Sequence, residues 1–117
     1  MPREYKAFLR DILESIDKID RYTKDINFQD FVKNELIQDA VIRNLEIIGE
    51  AVKNLPDDFK GNYPEIEWRK IAGLRDILIH AYFGIDLEII WDIVQNKMRG
   101  LKKIIEKTFL NLNSDKE

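Results

Sequence analysis

"QDAVIRNLEIIGEAVKNLP", residues 38–56, is the stretch whose periodicity decides the fold. Together with the residues just before it, its apolar side chains fall on two ridges at three- and four-residue spacing. Ile37, Val41, Leu45, Ile48, Val52 and Leu55 make one; Leu36, Ala40, Ile47 and Ala51 make the other. That is the period of an α-helix, and no strand-like alternation competes with it. Two ridges side by side form an apolar face wide enough to need more than one neighbour. Arg43, Glu46 and Glu50 interrupt it as a polar ridge, which reads most simply as a solvated face with an intrahelical ion pair.

Working outward, Asn27 is placed to cap this second helix, with Asp30 in its first turn, and the helix extends to Leu55 before Pro56. Upstream, Tyr5, Phe8, Leu9, Ile12, Ile16, Ile19 and Tyr22 or Thr23 recur at helical spacing and predict a first helix over about residues 3–24. Downstream, two prolines and a glycine in "NLPDDFKGNYPEIEW", residues 54–68, mark a connection. A third helix is expected from Glu65 or Glu67 to Tyr82, stopping near Gly84. Asp86 then caps a fourth, with Ile85 and Ile90 placed for a hydrophobic staple across it. Leu87, Ile90, Trp91, Val94, Met98, Leu101, Ile105 and Leu112 form one stripe at nearly heptad spacing, a face for the core or for a second subunit. The expectation is all-α: an up-and-down four-helix bundle over residues 1–112, dimeric, with a polar tail over 113–117.

Composition narrows the function classes. At 117 residues, 44% hydrophobic and 35% charged, the chain suits one amphipathic helical domain and not a disordered segment. It has no cysteine, so no disulfide framework and no thiolate metal site; its one histidine argues against zinc, and the simplest compartment is a reducing cytoplasm. The opening residues are charged from the third onward, unlike a signal peptide, and no apolar run approaches the roughly 20 residues of a membrane span. A net charge of −3 gives no bulk attraction to nucleic acid, so such binding requires a local basic patch. Lys97, Arg99, Lys102, Lys103 and Lys107 form a modest one that otherwise reads as a solvated helix face.

The chemistry concentrates in "RDILIHAYFGID", residues 75–86. Asp76 and His80 are four apart and adjacent on a helix; Arg75 and Tyr82 are seven apart and share a side. Arg75 and His80 diverge by about 140°. For both to reach one substrate, the helix must loosen near Gly84, the Arg75 side chain must curl round, or a second subunit must complete the site. Histidine titrates near neutral pH, and Asp76 is placed to hold its ring. The guanidinium of Arg75 is a permanent planar fork for a phosphate or for the charge of a phosphorane. This set suits RNA phosphodiester cleavage, in which the 2′-hydroxyl is the internal nucleophile and no metal is needed. The alternative is structural: a histidine that interacts with Asp76 and the helix dipole, and a tyrosine at the core edge.

"RDILIHAY" matches the Arg-x4-His-x-Tyr motif of HepT-like toxins of the HEPN superfamily. "QDAVIRNLEIIGEAVKNLP" followed by "YPEIEWRKIAGLRDILIHAYFGID" resembles that family's two characteristic blocks, in order, over residues 38–86. The resemblance implies a helical bundle that dimerises, bringing two motif copies to a shared cleft. It implies a metal-independent RNase toxin that needs no cofactor, paired with a small MntA-like nucleotidyltransferase antitoxin. By position, Arg75 and His80 are then the catalytic pair, Asp76 the polar residue after the arginine, and Tyr82 the residue that receives AMP. Glu46 and Glu50 correspond to acids typical of the family, which orient Arg75 or Arg43 or stabilise the bundle. Two other functions fit the same residues: a non-catalytic helical module that partners a nucleotidyltransferase or presents a nucleotide to it, and a purely structural dimer.

Overall fold

In the computed structural model, which describes residues 3–79 and 84–114, the helical periodicity is realised throughout, and no strand occurs among the described residues. The order is α1 (Arg3–Tyr22), α2 (Phe28–Lys33), α3 (Glu35–Lys53), α4 (Asp57–Gly61), α5 (Trp68–Ala72), α6 (Leu74–Ile79), α7 (Leu87–Asp92), a π-helical turn (Ile93–Lys97) and α8 (Met98–Ser114).

On α1, Tyr5, Leu9, Ile12, Ile16 and Ile19 lie on one face and are buried, at most 4% exposed. The helix packs between α3 and α8. It closes where the Thr23 hydroxyl donates to the Ile19 carbonyl at 2.8 Å, and Asp25 turns the chain with φ of 62°, a left-handed conformation that aspartate tolerates better than most side chains.

The helix expected over residues 27–55 is two helices. Asn27 caps α2 as foreseen, in a reciprocal box with Asp30. Asn34 then ends α2 and starts α3, its side-chain oxygen accepting from the Ile37 N–H at 3.0 Å. The side-chain amide of Gln38 donates to the carbonyls of Phe31 and Val32, 2.9 Å each, meeting acceptors that the break would leave unpaired. The kink lets Phe31 sink into the core, against Trp91 at 5.1 Å between ring centroids. On α3 the first ridge is buried from Val41 onward. The second is only partly covered: Ala51 is buried, Ala40 and Ile47 half-buried, and Leu36 is 80% exposed.

The connection over residues 54–68 carries α4, which the prolines conceal. Phe59 from this turn meets Tyr5, Tyr63 and Trp68 at 5.4–5.8 Å between ring centroids, so the segment is an aromatic plug over one end of α1. The helix expected from Glu65 or Glu67 to Tyr82 is divided at Gly73 into α5 and α6. Its expected end at Tyr82 lies outside the described residues.

Asp86 caps α7, accepting from the N–H groups of Glu88 and Ile89 at 3.0 and 3.4 Å. From there the chain is helical without a break to Ser114. Ile90, Val94 and Met98 are all buried at a spacing of four. On a 3.6-residue helix each such step drifts by about 40°. The π turn between Ile93 and Lys97 widens the helix and absorbs that drift. The near-heptad stripe is therefore consumed inside the chain: Ile90, Val94, Met98, Leu101 and Ile105 are at most 5% exposed and are not a face for a second subunit. Among the described residues no helix is long and apolar enough to cross a membrane.

Candidate functional site

Gly49 on α3 determines how closely the next helices approach. A Cβ there would stand 2.9 Å from the Ile71 carbonyl oxygen and 3.1 Å from the Arg75 nitrogen, both backbone atoms that cannot step aside alone. Lacking one, α3 lets the α5–α6 junction settle directly on it, which roots Arg75 beside the next α3 residue. Arg75 Nε lies 3.4 Å from a Glu50 carboxylate oxygen, and Arg75 Nη1 lies 3.5 Å from Asp76 Oδ1. Two carboxylates on different helices thus flank one guanidinium at different nitrogens.

Beside this group is a cleft of about 260 Å³. Arg75 and Ile79 of α6 form one side; Arg43, Glu46, Ile47, Glu50 and Ala51 of α3 form the floor; Phe8 and Asp11 of α1 close the other side. The polar ridge of α3 that reads in sequence as a solvated face therefore lines a concave surface. Its ion pair is present, Arg43 Nη1 to Glu46 Oε2 at 3.8 Å, but it is lopsided: the Arg43 side chain is 72% exposed and that of Glu46 only 18%. Helical periodicity counts Phe8 in the apolar stripe of the first helix and gives Asp11 no role, yet both line the cleft. Only their three-residue spacing on α1 hinted at a shared face.

Arg75, Asp76, Arg43, Glu46 and Glu50 are thus gathered within one neighbourhood. The remaining two residues singled out from sequence, His80 and Tyr82, lie outside the described residues. Among the described residues no group of three or more His, Cys, Asp or Glu side chains comes together as a metal site. The basic cluster on the last helix is partly committed to the chain itself. Lys97 meets Glu67 at 3.3 Å, and Lys102 meets Asp17 and Asp20 at 3.5 and 3.2 Å. The hydrogen bond to Asp20 holds the Lys102 ammonium above the ordinary lysine range. Glu67 is held below the usual carboxylate range by Lys70 first and Lys97 second, so the start of α5 is tied to the π turn.

The model of the family described as "Ribonuclease HepT-like" matches residues 12–108. A putative RNase of Methanocaldococcus jannaschii is 51% identical over 118 residues, covering all of this chain and 98% of its own length. A probable ribonuclease HepT of Thermococcus cleftensis is 50% identical over 107 residues, covering 92% of this chain and 97% of its own length. A putative RNase of Caldanaerobacter subterraneus is 42% identical over 102 residues, covering 87% and 91% respectively. No solved structure matches.

Proposed function

We propose that this chain, which belongs to the HepT-like ribonuclease family, is a metal-independent endoribonuclease that uses Arg75 and His80 on a single scissile phosphate. The observation that carries the proposal is the Arg75 guanidinium, held by Glu50 and Asp76 at the edge of an open cleft. A cation oriented in advance stabilises charge that develops in a transition state without reorganising during the reaction. In the proposed step His80 takes the proton of the ribose 2′-hydroxyl, whose oxygen attacks the adjacent phosphorus. Arg75 stabilises the extra negative charge of the phosphorane, and the 5′-oxygen leaves with a proton from water, the proton on His80 returning to solvent. A 2′,3′-cyclic phosphate and a 5′-hydroxyl result. General base catalysis of this kind contributes roughly 10²–10⁴ in rate.

The wider proposal follows the family. The helices act as one domain, an up-and-down four-helix bundle, and two copies pair so that both motifs face one RNA-binding groove in the reducing cytoplasm. The chain is the toxin of a toxin–antitoxin pair, and an MntA-like nucleotidyltransferase silences it by adenylylating Tyr82. The added phosphate and base would occupy the space of the RNA backbone and compete for Arg75.

The test is cleavage of RNA by purified protein with a chelator present, comparing the wild type with Arg75→Ala and His80→Ala. Loss of cleavage and of growth inhibition in both variants, at unchanged helical content, is the expected result. Cleavage by the variants at the wild-type rate would show the nuclease to be a contaminant, leaving a non-catalytic partner of a nucleotidyltransferase as the better description.

A further inference from the structure

Glu46 is poorly explained as a surface charge. Its side chain is withdrawn into the cleft at 18% exposure, and its ion pair with Arg43 is long, at 3.8 Å. A carboxylate removed that far from water ordinarily gains close N–H donors in exchange. Glu50, one turn further along α3, has Arg75 at 3.4 Å. The ring of Phe8 and the aliphatic side chains of Ile47 and Ile79 line the cleft together with the charged Asp11, Arg43, Glu50 and Arg75. A cleft that sets apolar surface for a ring beside an acceptor pair, a donor fork and an arginine suited to phosphate has the makings of a nucleobase pocket next to a backbone contact.

Which base it takes follows from donors and acceptors. An ionised carboxylate offers two acceptors and no donor; a guanidinium offers donors only. Along the Watson–Crick edge of guanine the O6 acceptor is followed by two N–H donors, N1–H and N2–H. Adenine and cytosine would each set a ring-nitrogen acceptor against a carboxylate oxygen. Uracil flanks its single N–H with carbonyls, one of which would face the same oxygen. We infer that the cleft lined by Phe8, Ile47 and Ile79 is a guanine subsite, in which Glu46 accepts from N1–H and N2–H and Arg43 donates to O6. The base next to the scissile phosphate is thereby selected, while Arg75 holds the phosphate.

The RNA part of this assignment rests on the nuclease proposal, whereas the base pocket itself does not, so two arms separate them. In the first, the four nucleoside monophosphates are titrated into the protein by isothermal calorimetry, with nitrogen-15 NMR reporting on the α3 amides. GMP should bind about tenfold or more tightly than AMP, CMP or UMP, within the range a bidentate base contact provides. Glu46→Gln, which replaces one acceptor with a donor at nearly constant shape, should erase the difference at unchanged melting temperature. In the second arm, RNAs differing only in the base beside the cut are compared. Guanosine should be preferred, and inosine, which lacks the N2 amine, should lose part of that preference in the wild type and none in Glu46→Gln. Equal binding of all four nucleotides, or a GMP preference that survives Glu46→Gln, would overturn the subsite. RNA cleavage without base preference would overturn it too and leave the nuclease standing. Glu46-dependent GMP selectivity in a protein that cuts no RNA would keep the subsite and discard the nuclease.

Discussion

Arg75 owes its placement to two adjacent residues of α3, a glycine that lets its backbone in and a glutamate that takes its side chain. These contributions separate by experiment. Glu50 and Arg75 are each about half exposed, so their pair adds little to stability, on the order of 0–1 kcal/mol. Glu50→Gln should leave the melting temperature nearly unchanged while lowering the kcat for RNA by roughly tenfold through misalignment, with KM moving less. Arg75→Lys keeps the charge but loses the fork, and a single-turnover loss on the order of 10² is expected. Gly49→Ala acts on both quantities. Its methyl would meet backbone at 2.9 and 3.1 Å, so the α5–α6 junction must move; a loss of about 1–3 kcal/mol in urea denaturation is expected, together with reduced cleavage. Wild-type stability in Gly49→Ala would show that the close approach is not needed.

At the scale of elements, the breaks matter more than the helices. Asn27 and Asp86 are legible caps because each acts on the two or three residues that follow it, and both serve as the sequence implies. Asn34 was hidden, since it lies inside an uninterrupted helical pattern and its break is favoured only once Gln38 and the burial of Phe31 are counted. Asn34→Ala should therefore cost about 1 kcal/mol, within a range of roughly 0.5–2, by removing the α3 cap. The π turn has a similar origin. Two successive four-residue steps in the stripe of the last helix were visible in sequence, but only burial of Ile90, Val94 and Met98 against one core requires the helix to widen there.

For the whole molecule, titration of a buried group gives a global readout. Tyr5 is 4% exposed beneath the aromatic plug of Phe59, and burial, with Tyr63 adding to it, raises its hydroxyl from 10.0 to about 12. Between those values the unfolded chain has released this proton and the native chain has kept it. Unfolding thus releases a proton, and native stability falls as pH rises through that window while being fully present below it. The contribution is at most on the order of 2–3 kcal/mol. Chemical denaturation from pH 9 to 12 should show a steeper loss in the wild type than in Tyr5→Phe; parallel curves would assign the alkaline loss to other groups.

The sequence by itself determined the helical class, most of the buried positions and two of the caps, and it supplied the residues of the candidate site. Those features depend on interactions within about one turn of chain, as with Val41, Leu45, Ile48 and Val52 on a single ridge. Tertiary structure decided where helices break, that α4 plugs one end of α1 with Phe59, and that the stripe of the last helix is spent on the chain's own core. It also decided that Arg43, Glu46 and Glu50 share a cleft with Arg75 instead of facing open water. The physical reason is that these outcomes depend on backbone approach and on exchanged hydrogen bonds between segments far apart in sequence. The gap left by the missing Gly49 Cβ acquires meaning only when Ile71 and Arg75 arrive to fill it.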